Sequence, residues 1–254
     1  MNAASNVIEI EDLVYQADGR PVLDGISLTL GEREILAVMG LSGSGKTSLL
    51  RCVMGLVRPA AGAIRVLGVD IIGLPERQLN PIRQSIGFVF QYAALFDSMT
   101  VGENVAFALR EHTPLPDADI ARVVADRLAM VGLEGTEELM PAALSGGMRK
   151  RVGMARALAL EPKIMLYDEP TSGLDPITAR AIDELIVCLR DRLGVSSLVV
   201  SHDVVSLLRM ADRLALLYDH RVVAVGTPAE LQESGDPLVQ QFLAGRTSGP
   251  ISVV

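Results

Sequence analysis

Apolar residues run without interruption through Ile35-Leu36-Ala37-Val38-Met39, Ile164-Met165-Leu166-Tyr167 and Leu198-Val199-Val200. Such runs suit strands buried on both faces of a parallel sheet better than strands with one wet face. Ile86-Gly87-Phe88-Val89-Phe90 reads the same way, and further strands are predicted at 213–218 and 222–225. Residues 7–31 and 63–70 instead form short segments rich in Val, Ile and Leu around turns such as Asp18-Gly19, which predicts an antiparallel β layer. Between Gln91 and Pro162 the strand pattern disappears. Helical stretches replace it at Val101–Glu111, Ala118–Val131 and Gly146–Leu160, separated by Thr113-Pro114-Leu115-Pro116 and Leu139-Met140-Pro141. The expectation is one α/β domain over residues 1–254: 1–91 and 162–230 as β layer plus core, 92–161 as an inserted helical subdomain, and 231–254 as a C-terminal helix and tail. In that tail, Leu238, Val239, Phe242 and Leu243 make Pro237–Leu243 a short amphipathic helix. Gly245–Pro250 should then be extended, either packing on its own subunit or reaching a second copy.

The candidate chemistry sits where these strands end. Gly40-Leu41-Ser42-Gly43-Ser44-Gly45-Lys46-Thr47 fits G-x-x-x-x-G-K-[ST], with the apolar strand before it and Ser48-Leu49-Leu50-Arg51 opening a helix after it. Glycines there let backbone N–H groups turn onto phosphate oxygens, the helix N-terminus adds partial positive charge, Lys46 reaches the β- and γ-phosphates, and Thr47 offers a hydroxyl to Mg²⁺. A simple glycine-rich turn would not need those flanks. Asp168 and Glu169 close another apolar strand, the former suited to Mg²⁺ and the latter to activating a water as general base; a solvated acidic pair is the plainer alternative. His202 follows the 198–201 strand and is placed for a γ-phosphate contact, although a lone histidine at a strand end is often only solvated. Gln91 ends the strand from Ile86 and could bridge Mg²⁺ and water, or be a surface amide.

Together with Leu144-Ser145-Gly146-Gly147-Met148, these elements resemble the ATP-binding cassette (ABC) ATPases over nearly the whole chain. The resemblance implies a RecA-like, mostly parallel core that binds ATP and Mg²⁺. Gly40–Thr47 is then Walker A, Gln91 the Q-loop residue, Leu144–Met148 the signature, Asp168 and Glu169 Walker B with its catalytic glutamate, Ser172-Gly173-Leu174-Asp175 the D-loop and His202 the switch histidine. Tyr15 matches the aromatic that stacks on adenine, a contact of about 1–3 kcal/mol by analogy with base stacking. Ser145, Gly146 and Gly147 begin a helix, a second anion site that in this family faces the P-loop of a partner subunit, so a head-to-tail homodimer is implied. Met148 stands where many signatures carry Gln; the donors to phosphate are Ser145 and the glycines, so activity is expected to survive. Between helical insert and core, ABC transporters seat a coupling helix of the permease, and Tyr92, Leu95, Phe96 and Met99 are candidates to line that groove, or ordinary core.

Phe107–Pro116, Leu144–Arg151 and Asp236–Leu243 with Gly249-Pro250 narrow the resemblance to the MlaF-type ATPases of Mce-linked phospholipid transporters in Gram-negative envelopes. That implies an MlaE-type permease, an MlaB-type STAS-domain protein and an MlaD-type Mce-domain protein as partners. An ABC importer of polar amino acids and a non-transport ABC ATPase are the alternatives.

Charge and composition limit the field. With 23 basic against 31 acidic residues, the net charge of −8 disfavours nucleic acid and direct adhesion to anionic lipid. Arg149, Lys150 and Arg151 read as a solvated face of the signature helix rather than a nucleic-acid patch. No apolar run approaches a membrane span and Met1–Ser5 lack a cationic, apolar leader, so the expected location is the cytoplasmic face of the inner membrane, reached through the permease. The two cysteines, Cys52 and Cys188, lie in helical patterns and read as core residues rather than a disulfide or metal site.

Overall fold

The computed structural model describes residues 6–251; Met1–Ser5 and residues 252–254 lie outside the described part. In chain order the elements are β1 (Asn6–Ala17), β2 (Arg20–Gly31), β3 (Ile35–Gly40), α1 (Lys46–Val53), β4 (Ala61–Val66), β5 (Val69–Asp70), α2 (Glu76–Gln84), β6 (Ile86–Val89), α3 (Val101–His112) and α4 (Asp117–Met130). A 3₁₀ turn at Pro141–Ala143 leads to α5 (Gly146–Ala157), β7 (Ile164–Asp168), α6 (Pro176–Leu193), β8 (Ser196–Ser201), α7 (Val204–Met210), β9 (Arg213–Tyr218), β10 (Arg221–Gly226), α8 (Pro228–Gln232) and α9 (Pro237–Ala244). The chain is α/β and divides into two compact units: residues up to Pro75 together with those from Ser196 onward, and residues 76–195.

The first unit holds two sets of strands. β2, β1, β4 and β5 form an antiparallel sheet in that order. Asp18 and Gly19 both have positive φ, 51° and 73°, the geometry that a two-residue hairpin turn needs to keep the strand twist, and Ala17 pairs with Arg20 across it. β3 lies between β8 and β9, parallel to both, and β10 returns antiparallel beside β9. All six residues of β3 and of β8 are buried, which is why their sequences show no polar alternation.

The second unit pairs β6 with β7 in parallel and carries α2 to α6. Thr100 starts α3 with a reciprocal capping box: its hydroxyl accepts from the Glu103 N–H and its own N–H donates to the Glu103 carboxylate. Pro114 and Pro116 stop that helix and lead into α4, whose first turn carries Asp117 and Asp119. Gly194, at φ 69°, caps the C-terminus of α6.

One expectation fails in the tail. Gly245–Pro250 is not extended: Gly245 closes α9 in the left-handed conformation and the chain folds back onto that helix. The buried Gln241 amide holds it, accepting from the Ile251 N–H at 2.7 Å and donating to the carbonyls of Ile251 and Arg246 at 3.0 and 3.2 Å. A side-chain amide that pairs with both polar groups of one residue offers the tail a strand-like partner within its own subunit, and an extended segment would forgo it.

Candidate nucleotide site

In the first unit, β3 delivers the chain to Gly40 with no room for a side chain: a Cβ there would collide with the Leu217 carbonyl and the Ser44 hydroxyl. Gly43 and Gly45 take φ values of 80° and 104°, and a Cβ on Gly45 would lie 2.7 Å from the Val22 carbonyl. Contact and φ together require glycine at Gly45, and φ alone favours it at Gly43. α1 starts at Lys46 with no side chain capping it, so its first turn presents backbone N–H groups to the loop. Lys46 is buried and donates to the carbonyls of Gly40 and Leu41 at 2.8 and 2.9 Å. Ser44 Oγ is buried without a hydrogen-bond partner. An unsatisfied buried hydroxyl costs about 1–3 kcal/mol, and a phosphate oxygen would relieve it. Thr47 and Ser48 are half-buried beside it, and Ser42 and Gly43 are exposed at the rim.

Tyr15 and His202 belong to the same unit. Tyr15 is half-buried on β1 opposite Leu23 of β2, and Leu23 is also the side chain that Gly45 approaches. Tyr15 thus pairs across the sheet with a residue whose side chain packs against the phosphate loop. Met39 pairs with Ser201, so Gly40 and His202 leave β3 and β8 at the same end. Asp203 then caps α7 by accepting from the Ser206 N–H. Gly40, Leu41, Ser42 and His202 line one wall of a cavity of about 360 Å³ whose other wall is Phe242, Arg246 and Ile251 of the tail.

In the second unit, Val89 pairs with Tyr167, so Gln91 and the Asp168-Glu169 pair emerge at one edge of β6 and β7. The two carboxylate residues are only 6% and 9% exposed, which a solvated pair would not be. Glu169 adopts φ 48°, left-handed for a residue with a Cβ. Lys150 of α5, itself buried, donates to the carbonyls of Gln91 and Glu169. Burial pulls the Lys150 ammonium below the ordinary lysine range, opposed by the charges of Glu169 and Asp168.

The cation run on α5 is a solvated face only in part: Arg149 is exposed and Arg151 half-buried, whereas Lys150 is buried. Arg149 donates to the Leu144 carbonyl at 2.6 Å, Lys150 points inward, and Arg151 donates to the Val131 carbonyl at 3.0 Å. Successive helical residues point about 100° apart, so three adjacent cations reach three different neighbours. Arg156 continues the pattern with the carbonyls of Ala93 and Ala94, both at positive φ. Asn104, fully buried on α3, accepts from the Phe96 N–H and donates to the carbonyls of Phe96, Met99 and Thr100. Lys150, Arg156 and Asn104 thus hold the segment after Gln91, and nothing in residue type or spacing singles them out.

Ser145 caps α5, its hydroxyl accepting from the Met148 N–H at 3.2 Å. Gly146 is half-buried, and Gly147 packs so closely on α6 that a Cβ would lie 2.5 Å from the Thr178 methyl. Asp175 caps α6: one carboxylate oxygen accepts from the N–H groups of Ile177 and Thr178, the other from the Thr178 hydroxyl at 2.6 Å. The Thr178 hydroxyl, with these backbone donors, lowers its pKa. Ser145 is exposed, whereas both Asp175 oxygens are engaged locally.

No group of three or more His, Cys, Asp or Glu able to hold a metal occurs among the described residues. Tyr92, Leu95, Phe96 and Met99 do not line one cavity together. A cavity of about 420 Å³ in the second unit is walled by Phe88, Phe90, Phe96, Phe107 and Leu160 with Arg156, and of the four expected residues only Phe96 contributes. The reason is local: Phe88 of β6 and Phe90 just beyond it, two residues apart, line the same cavity, while the turn after Gln91 leaves Tyr92 84% exposed. Cys52 is a buried free thiol, whereas Cys188, read as a core residue, is a free thiol only half-buried on α6.

Residues 23–172 match the family described as ABC transporter. The chain is 42% identical over 246 residues to the intermembrane phospholipid transport system ATP-binding protein MlaF of Haemophilus influenzae, covering 97% of this chain and 93% of that one. It is 43% identical to MlaF of Escherichia coli K12, with 98% and 93% covered. A probable ribonucleotide transport ATP-binding protein, mkl of Mycobacterium bovis, is 39% identical over 97% of this chain and 68% of its own. Among solved structures, cbiO1 from Clostridium perfringens superposes with a TM-score of 0.84 at 30% identity, covering 94% and 95%. The ATP-binding cassette MJ0796 bound to ADP and Pi gives 0.79 at 30% identity over 87% and 98%. With a phosphate loop, a buried carboxylate pair and a serine-capped glycine helix in place, the chain belongs to the ABC transporter family as an ATP-binding, ATP-hydrolysing subunit.

Proposed function

We propose that this ATPase is the motor of an ABC transporter that moves phospholipids across a Gram-negative envelope. The observation that carries this reading is 42–43% identity to MlaF proteins over 97–98% of the chain. Tyr15 stacks on adenine; Ser42, Gly43, Ser44, Gly45, Lys46, Thr47 and Ser48 bind the phosphates, with Gly40 opening the loop. Thr47, Gln91 and Asp168 would hold Mg²⁺, which would supply neutralisation of phosphate charge when bound. Glu169 accepts a proton from the water that attacks the γ-phosphorus, and His202 hydrogen-bonds the γ-phosphate. Ser145, Gly146, Gly147 and the D-loop at Asp175 close over the nucleotide of a second copy, which makes hydrolysis depend on a homodimer. The relative MJ0796 has been solved as a dimer, which supports this arrangement.

The working division follows the chain: core and β layer over 1–91 and 162–230, a moving insert over 92–161, and a C-terminal helix and tail over 231–254. The aromatic cavity at Phe88, Phe90, Phe96 and Phe107 supports docking of a permease segment of the MlaE type, since three of these rings are exposed around an apolar hollow. An MlaB-type STAS-domain protein and, through the complex, an MlaD-type Mce-domain protein complete the assembly. No helix among the described residues is long and apolar enough to cross a membrane, so attachment to the cytoplasmic face of the inner membrane is through the permease.

Affinity purification of the tagged chain from detergent-solubilised membranes, with mass spectrometry of proteins and lipids, tests this reading. A permease, an Mce-domain protein and a STAS-domain protein with phospholipid are expected. Recovery of a different permease without lipid would keep the motor and remove the phospholipid cargo, the outcome that similarity to mkl would favour.

A further inference from the structure

Two backbone carbonyls at the heart of the second unit, those of Gln91 and Glu169, are bonded to the same ammonium. The Lys150 Nζ to Glu169 O distance is 3.1 Å, and the lysine is 5% exposed. Lys150 lies five residues after Ser145 on α5, so one rigid helix carries both the signature serine and this cation. Glu169 sits in a left-handed conformation that a residue with a Cβ holds only when its surroundings impose it. A charged donor on its carbonyl supplies such a restraint.

We propose that Lys150 is a positioning residue for hydrolysis: it fixes the backbone of Glu169 and of Gln91 relative to the signature helix, so that movement of that helix sets the aim of the general base. This rests on Glu169 being the base. Replacing the ammonium by an apolar group of similar length takes this donor from the Gln91 carbonyl and leaves the Glu169 carbonyl with only the Ser172 N–H at 3.2 Å, so the charged restraint on the Glu169 backbone is gone. The carboxylate then loses its line on the attacking water while the phosphate loop, in the other unit, is untouched. Misplacement of a catalytic group by about 1 Å costs on the order of 100-fold in rate, without a matching cost in substrate binding.

The test uses the full-length protein and measures steady-state ATP hydrolysis, ATP binding and melting temperature. Lys150→Met should lower kcat about 10- to 100-fold while KM for ATP changes less than about twofold. Lys150→Arg, whose guanidinium has N–H donors enough for both carbonyls and keeps the charge, should recover at least part of that loss. In a Glu169→Gln background, Lys150→Met should add little further loss in single-turnover hydrolysis, because it acts through Glu169. An unchanged kcat in Lys150→Met, or the same proportional loss in both backgrounds, overturns the proposal. Should Lys150→Met fail to fold, Lys150→Gln decides by the same kcat and KM comparison. Glu169→Gln alone separates the two readings: near-normal hydrolysis removes Glu169 as base, whereas its collapse beside a fully active Lys150→Met overturns only the positioning role.

Discussion

At the residue scale, the hydrolytic machinery depends on groups whose local surroundings already restrict them. Glu169→Gln should still bind ATP and lose something like 10²–10⁴-fold in hydrolysis, measured in single turnover, since the amide cannot accept the proton of the attacking water. Lys46→Ala should weaken nucleotide binding, because the buried ammonium bonded to the Gly40 and Leu41 carbonyls would no longer be there to meet a phosphate. Cys52 gives a check on burial independent of ATP. It lies on α1 at 1% exposure and burial pushes its thiol up to about 12, so at pH 8 it carries almost no thiolate. Mass spectrometry after alkylation at that pH should find Cys52 unlabelled in the native protein and labelled after unfolding; rapid native labelling would mean that α1 is not packed as described.

At the scale of elements, what could be read beforehand was what has a period or a fixed spacing. The all-buried strands β3, β7 and β8 showed as unbroken apolar runs, and Gly40–Thr47 showed because strand, loop and helix must follow in that order around a phosphate. The supports were not legible. Lys150 looks like any surface lysine in a basic run; only the rotation of α5 against Gln91 and Glu169 makes it a buried donor. Asn104 looks like a neutral helix residue until its amide is seen bonded to the Phe96, Met99 and Thr100 carbonyls. The tail misled for a related reason: glycine and proline suggest extension, whereas Gln241, ten residues away, supplies the hydrogen bonds that fold it back. Gln241→Ala should therefore release the tail, seen as faster hydrogen exchange at Ile251 and a stability loss of about 1–3 kcal/mol by denaturant titration. Unaltered exchange would assign the tail's order to apolar burial of Ile251 alone. Gly147→Ala, which sets a methyl against Thr178, should lower the melting temperature and slow hydrolysis together.

At the scale of the whole molecule, the function lies in coupling ATP hydrolysis to a membrane partner that this chain does not contain. The aromatic cavity beside Arg156 is the surface most suited to that coupling, as it joins exposed rings to the helix that carries Ser145 and Lys150. Phe90→Asp or Phe96→Asp should leave ATP hydrolysis by the isolated protein within about twofold while releasing the permease in co-purification, because a carboxylate in an apolar interface has no partner. Retained permease would move the docking surface elsewhere. The net charge of −8 disfavours direct adhesion to anionic lipid, and no helix among the described residues is long and apolar enough to cross a membrane.

The central claim is that hydrolysis at Glu169 drives phospholipid movement. Its most direct test is transfer of a fluorescent phospholipid between membranes by the purified complex, reconstituted with wild-type or Glu169→Gln chain and with or without ATP. The account predicts transfer that requires ATP and stops in the variant. Transfer at equal rate with Glu169→Gln, or ATP hydrolysis by the complete complex with no phospholipid moved, would contradict it.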